Sequence, residues 1–376
     1  MEGNGLSRIQ LETGKVQQIV LETYDQQLLE VRLMSSPEQS IDMHHSNQDM
    51  KSQAKLYFRF CTRARIGDIV LVNRTATNLK LGSGGVDYVV SNLSHPEVHR
   101  YNNGHIMKLR YTPMQFSIQS IEETAKYQRK EENFSGLNAM PVVIGELHSM
   151  VVPFVTAIRK FQPQWRIVYL MSDGGALPLE LSYSIKKLKE SGDIDITITF
   201  GNAYGGDLEA TNIFTALIAA HQLCNPDVII ATMGPGIVGT GSKYGFTGME
   251  QLQHLYAVEL LKGHRVLIPR IGFSDGRTRH WGVSHHTKTV LELTNSDVSV
   301  TFPILEQWKH DILQGQLVGD DQIFSKHNLT WIDVKDCLDF YRRLDIELIT
   351  MGKNLEAEPA FFQCVWATAK KVALDM

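Results

Sequence analysis

Ile167-Val168-Tyr169-Leu170-Met171-Ser172-Asp173-Gly174-Gly175 is the stretch that decides the fold. A strand-length run, apolar throughout, enters a polar, glycine-bearing turn, and a helix-length amphipathic segment then continues to Leu188. An unbroken apolar run of this length suits a strand buried on both faces, as in a parallel sheet. The same plan is legible on either side. Met140 to Gly145 leads into Glu146-Leu147-His148-Ser149 and a helix through Phe161. Ile194 to Phe200 leads into Gly201-Asn202-Ala203-Tyr204-Gly205-Gly206-Asp207 and a helix through Leu223. Val228 to Met233 leads into Gly234-Pro235-Gly236-Ile237-Val238-Gly239-Thr240-Gly241, and Arg265 to Pro269 opens the long loop Arg270 to His286. Strands that alternate with helices in this way predict an α/β unit with a Rossmann-like, mostly parallel sheet. After Pro303 the apolar residues Trp331, Val334, Cys337, Leu338 and Tyr341, then Phe361, Phe362, Val365, Trp366 and Ala369, recur at helical spacing. The expectation for the C-terminal part is therefore helical packing.

Upstream the texture differs. From Lys15 to Tyr111 short apolar or alternating blocks, such as Leu28 to Leu33 and Lys55 to Phe60, predict a small barrel-like β domain over residues 1–116. Ser35 to Gln53 interrupts it as a polar excursion, with adjacent His44 and His45 better read as solvated than as metal ligands. Residues 117–138, rich in Glu, Lys and Gln, suit a linker or surface helix ahead of the α/β domain at 139–376.

At 376 residues the chain is longer than the roughly 250 to 300 at which single cores stop growing, which favours two domains. Lys and Arg number 37 against 41 Asp and Glu, so there is no global attraction to nucleic acid or anionic lipid, and any anion site must be local. No apolar run approaches the roughly 18 residues of a membrane span, and Met1 to Lys15 lacks an apolar signal core. Cys61, Cys224, Cys337 and Cys364 form no paired ligand spacing and no dense disulfide framework, which suits a reduced, cytoplasmic setting. An α/β chain of this size also has a homodimer as a base-rate expectation.

Loops that follow parallel strands share one sheet edge, where open α/β proteins bind ligands. The candidate catalytic groups are Asp173, Asp207, His148 and His285. Helix N-capping is the plain alternative for the two aspartates, and a satisfied core position is the alternative for His148. Gly234, Gly236, Gly239 and Thr240 lie on a loop whose glycines let backbone amides approach an anion, although it matches neither the dinucleotide nor the Walker spacing. Arg277, Arg279, Ser284 and His286 complete the candidate ligand set, since paired arginines suit bidentate recognition of phosphate or carboxylate. His285 and His286 point about 100° apart on a helix, so one of the two at most faces a ligand. A divalent metal is an open alternative, with His148, His280 and His285 as its candidate ligands.

The motifs Gly145-Glu146-Leu147-His148-Ser149, Ser172-Asp173-Gly174-Gly175-Ala176-Leu177-Pro178, Gly205-Gly206-Asp207-Leu208-Glu209-Ala210, Met233 to Gly241 and Ser284-His285-His286-Thr287 occur together here. Gly104 to Pro113 and Thr350-Met351-Gly352-Lys353 accompany them. In this combination the chain resembles an uncharacterised bacterial family known only as a domain of unknown function, DUF3866, from about Gly67 to Phe362. The Ser35 to Gln53 insertion falls outside the resemblance, which implies a site map and no activity. Two functions compete. One is an enzyme acting on a small anionic metabolite bearing phosphate or carboxylate. The other is a metabolite-binding or regulatory module whose β domain contacts a partner. A purely structural role would leave five unusual loops on one sheet edge to turn chemistry alone.

Overall fold

The computed structural model describes residues 9–34, 51–81, 84–98, 104–172, 174, 177–276 and 281–375. These fall into two compact units, 1–101 and 102–376. In the first, β1 (Leu11–Glu22), β2 (Gln26–Leu33), β3 (Lys51–Tyr57), β4 (Ile69–Asn73) and β5 (Asp87–Asn92) close a barrel in the order β1-β2-β3-β5-β4, with a one-turn helix α1 (Thr75–Asn78) between the last two strands. Closure removes the exposed edges that a five-stranded sheet would otherwise carry. Alternation does the sorting: Leu29, Val31 and Leu33 of β2, with Val70 and Val72 of β4, point into the barrel core while their neighbours face out.

The second unit opens with a hairpin, β6 (Ile106–Lys108) and β7 (Phe116–Ile118), and a seven-residue helix α2 (Ala125–Glu131). The segment read as linker or surface helix contains that helix, whose Tyr127 is fully buried. Then come β8 (Pro141–Gly145), α3 (Val151–Phe161), β9 (Ile167–Ser172), α4 (Tyr183–Glu190), β10 (Ile196–Phe200), β11 (Leu208–Ala210), α5 (Ile213–Ala219), β12 (Val228–Met233), α6 (Gln251–Leu260) and β13 (His264–Ile268). The remainder is β14 (Ile271–Gly272), β15 (Gly282–Val283), α7 (His285–Leu293), β16 (Ser299–Ile304), α8 (Gln307–Gly319), α9 (Asp321–Phe324), β17 (Asn328–Asp333), α10 (Cys337–Tyr341), β18 (Ile349–Thr350), β19 (Lys353–Asn354) and α11 (Pro359–Asp375). Eight strands form one all-parallel sheet in the order β11-β10-β9-β12-β8-β13-β16-β17. The chain is thus α/β as expected from the strand-turn-helix rhythm, with a barrel ahead of a parallel sheet and helices at the C-terminus.

Both faces of the sheet are covered, and the period of two shows how. Val142 and Ile144 of β8, Val168 and Leu170 of β9, and Ile229 and Ala231 of β12 pack into one core with α5 and α6. Val143, Ile167, Tyr169, Met171, Val228 and Ile230 point the other way, into a second core with α3 and α11. Every residue of β8, β9 and β12 is buried, which is why these strands read as continuous apolar runs. At about 1.5–3 kcal/mol for each large apolar side chain fully buried, the two cores dominate the stability of the unit. Among the described residues no helix is long and apolar enough to cross a membrane.

Two local expectations are corrected. Trp331, grouped with a helical pattern, lies instead in β17, and β16 precedes it, so the C-terminal part contributes two further parallel strands before its helices. The half-buried edge strand Asn328–Asp333 carries too little alternation to distinguish the two periods. Pro303 is accommodated inside β16 because pairing to β13 stops at Val300, leaving no ladder partner there for the missing N–H. Finally, the segment after Asp207 begins with strand β11 before the helix, and the helix start is capped by Asn212, whose side chain accepts from the Phe214 and Thr215 amides at 2.9 and 3.1 Å.

Candidate functional site

The strand order changes direction around β8, which sits between β12 and β13, so the loops that leave these three strands open at a shared carboxyl edge. Two cavities lie there. One, of about 350 Å³, is walled by Glu146 to Ser149 after β8, by Gly234 to Ile237 after β12, and by Glu347 to Ile349 with Met351. The other, of about 400 Å³, is walled by Arg270 to Gly272 after β13, by Asp275, by Ser284 to His286 at the start of α7, and by Lys288, Lys353 and Glu358. Met351 borders both. The turn that brings it there is tight, with φ of 48° at Met351 and 75° at Gly352.

Glu146 connects the two. It is 1% exposed, and its Oε1 accepts from the Arg270 guanidinium at 3.2 Å and lies 2.6 Å from Nδ1 of His286. Its Oε2 has no hydrogen-bond partner among the described residues. A buried acceptor left without a donor is destabilising by about 1–3 kcal/mol, so this arrangement is a departure from ordinary packing. A carboxylate oxygen only accepts, and Nδ1 of His286 therefore carries the hydrogen of their bond. In the neutral ring this leaves the lone pair on Nε2. The His286 ring is fixed further by stacking on Phe246, with centroids 3.8 Å apart and planes 2° from parallel. Its Cε1–Nε2 edge is turned towards Gly239. Helix α7 supplies the platform: Ser284 caps it by accepting from the His286 amide at 3.1 Å and the Thr287 amide at 3.4 Å. The Thr287 hydroxyl in turn accepts from the Arg270 amide at 3.0 Å, which ties Arg270 and His286 to one frame.

His148 lines the first cavity, yet both of its ring nitrogens are engaged. Nδ1 is 2.9 Å from the Tyr169 hydroxyl and Nε2 is 2.6 Å from Oγ of Ser182. Tyr169 continues to the Thr232 hydroxyl at 3.0 Å, and Ser182 also caps α4. Burial lowers the His148 pKa to about 4, against the pull of the Met233 carbonyl, and burial pushes the Tyr169 phenol upward. The imidazole is neutral at pH 7, with its nitrogens shared between two hydroxyls and none left over for a metal.

The glycine loop has a definite shape. Gly234 donates to the Ser172 carbonyl at 3.0 Å, Val238 to the Thr247 hydroxyl at 3.0 Å, and Thr240 to the Gly245 carbonyl at 2.8 Å. Those amides are consumed within the fold. Gly236, at φ +98° with open space where a Cβ would point, presents bare backbone to the first cavity. The Thr240 hydroxyl donates to the Gly245 carbonyl at 2.9 Å, closing the hairpin in which Gly239 bridges Phe246. His285 is exposed and meets His286 edge to face at 4.3 Å.

Asp207 is not brought to this crevice. The chain turns back over residues 201–207 and restarts as β11 parallel to β10, with Leu208 beside Ile198, so Asp207 stands near the amino end of β10. There it accepts from the Thr197 amide at 2.9 Å and hydroxyl at 2.8 Å and pairs with Lys189. Burial alone would raise its pKa, but the bonds from Lys189 and Thr197 outweigh that and lower it. Asp173, Arg277, Arg279 and His280 lie outside the described residues, as do His44 and His45. Among the described residues no cluster of three or more His, Cys, Asp or Glu side chains could hold a metal ion.

Sequence reasoning overlooked Glu146, Arg270, Met351, Lys353 and Glu358. Glu146 stood in plain view, as the first residue after a strand and two before His148. The others had weaker signals, because only the tertiary fold brings Thr350-Met351-Gly352-Lys353 to this edge. Glu358 accepts from the Phe273 amide at 2.9 Å and the Ser274 amide at 3.2 Å, and also from the Ser274 hydroxyl, which pins the entry to the arginine-bearing loop.

A family model described as a protein of unknown function, DUF3866, matches residues 53–369. The chain belongs to this family. The match begins at Gln53, the last residue of the polar insertion and the third of β3, and takes in β4 onward together with the loops of the crevice in this DUF3866 member. Among curated proteins none matches the chain.

Proposed function

We propose that the chain is an enzyme acting on a small anionic metabolite, bearing phosphate or carboxylate, in the crevice outside the carboxyl ends of β8, β12 and β13. The observation that carries this reading is the Glu146–His286 pair: a buried carboxylate orients an imidazole by one nitrogen and leaves the other at the glycine loop. That is the arrangement general base catalysis needs, a nitrogen lone pair held in place with its tautomer fixed. Arg270, Lys288 and Lys353 line the adjoining cavity and favour an anionic group there, although each already has a carboxylate neighbour, Glu146, Asp320 and Glu358 respectively. His286 thus takes or returns a proton, and Arg270 with the lysines holds substrate charge. The four buried free cysteines suit a reduced, cytoplasmic setting.

The test is a turnover screen of the full chain against a defined panel of sugar phosphates, nucleotides and short acyl carboxylates. Consumption is read by mass spectrometry, with His286→Gln as the control. One class consumed by the wild type and slowed by about 100-fold or more in the variant supports the reading, in line with the contribution of a positioned base. Equal turnover in both proteins would remove His286 from the chemistry. The absence of both consumption and any thermal shift across the whole panel would overturn the enzyme reading.

A further inference from the structure

The two cavities of the crevice differ in chemistry. Arg270, Lys288 and Lys353 line the larger one, whereas neither lysine nor arginine lines the smaller, whose apolar wall is Leu147, Val152, Ile237, Leu348, Ile349 and Met351. The polar side chains of the smaller cavity are mostly spent within the fold. His148 shares its two ring nitrogens with Tyr169 and Ser182, and the Ser149 hydroxyl donates to the Thr350 hydroxyl at 3.0 Å. The Glu146 carboxylate is paired with Arg270 and His286, and Glu347 is exposed to solvent. The apolar wall is the part left uncovered, with Ile349 46% and Met351 61% exposed. Apolar surface left open in a cavity that adjoins a cation-lined one is surface for a ligand to cover.

We infer that the smaller cavity is the subsite for an aliphatic chain, so that the substrate is an amphipathic anion: a short alkyl or acyl chain joined to the phosphate or carboxylate that the larger cavity takes. Met351 borders both cavities, which places the site of the chain beside the site of the head. Each methylene that leaves water for such a wall contributes to binding and asks for no polar partner. A charged or strongly polar group in the same place would give up its hydration for a wall with few open partners, at a desolvation cost. This deepens the reading of the crevice as an anion site and rests on it for the head alone.

The experiment is a titration of the full chain at pH 7 with the straight-chain carboxylates from acetate to octanoate, beside the alcohols of the same lengths, followed by methyl NMR of Ile237, Ile349 and Met351. The expected result is saturable shifts at Ile237 and an affinity that rises roughly twofold to fourfold with each added methylene, in both series. Ile237→Trp, which narrows the cavity, flattens that rise and leaves acetate binding as it is in the wild type. An affinity that does not grow with chain length, Ile237 methyls that do not move, or an unchanged rise in folded Ile237→Trp would each overturn the subsite; the first two are read on the wild type and need no variant to fold. The head and the chain are separable in the same data. Acids no tighter than alcohols of equal length, with the rise intact, would count against the anionic reading and leave the aliphatic subsite standing, whereas acids that bind better than alcohols with no dependence on length would do the reverse.

Discussion

The loop after β8 and the loop after β10 each place a carboxylate directly after a glycine, Glu146 after Gly145 and Asp207 after Gly206, and they have opposite fates. After β8 the chain enters a helix, so Glu146 stays at the carboxyl edge, buried, with one oxygen orienting His286 and the other unpaired among the described residues. After β10 the chain doubles back to form β11, and its acids are spent on the fold. Asp207 holds the Thr197 amide, and Glu209 accepts from Gly205 at 2.6 Å and from Thr199 at 2.8 Å. Lys108, 1% exposed, reaches in from β6 to donate to the Gly201 and Ala203 carbonyls at 2.8 Å each and lies 3.4 Å from Glu209. The difference teaches that a carboxylate spent on the amides and hydroxyls of its own sheet is architecture, whereas one that orients a cavity-lining imidazole belongs to the site.

The comparison is sharpened first where the effect is largest. His286→Gln lowers kcat by about 100- to 10,000-fold with little change in urea unfolding, because the ring lies at the surface of the crevice and the helix cap comes from Ser284. A normal rate in that variant would erase the functional half of the contrast. At the other loop, Lys108→Met leaves Glu209 buried without its cation and destabilises by about 3–5 kcal/mol in urea unfolding. A loss under 1 kcal/mol would show that the Gly201–Gly206 turn holds itself.

A pH titration comes next. His148 and His254 are both lowered to about 4 by burial, so the unfolded chain binds protons more readily than the folded one between about 6.5 and 4. Stability is fully present above pH 6.5 and falls as the pH drops towards 4. His254→Leu makes that fall shallower, and an unchanged slope in calorimetry across this window would count against the assignment. The smallest effect is Asp207→Ala, which removes the clasp on Thr197 and lowers stability by about 1–3 kcal/mol while leaving turnover unchanged. Lost turnover at unchanged stability would dissolve the contrast between the two loops.

The sequence by itself determined the α/β plan, the barrel ahead of it, and the positions of the loops at Glu146, Gly234 and Arg270, because strands buried on both faces must be apolar throughout and turns must carry glycine or polar residues. It also brought His286 and the Gly234–Gly241 loop under suspicion. Only the tertiary structure decided which of those residues face one another. Strand order is set by packing between distant segments, so the chain's local pattern does not show that β8 lies between β12 and β13, that Met351 borders both cavities, or that β11 carries Asp207 to the far end of β10. The identity of a side chain is local information, but whether its polar atoms find partners depends on every element packed around it, and at Glu146 the described residues leave one oxygen unmatched.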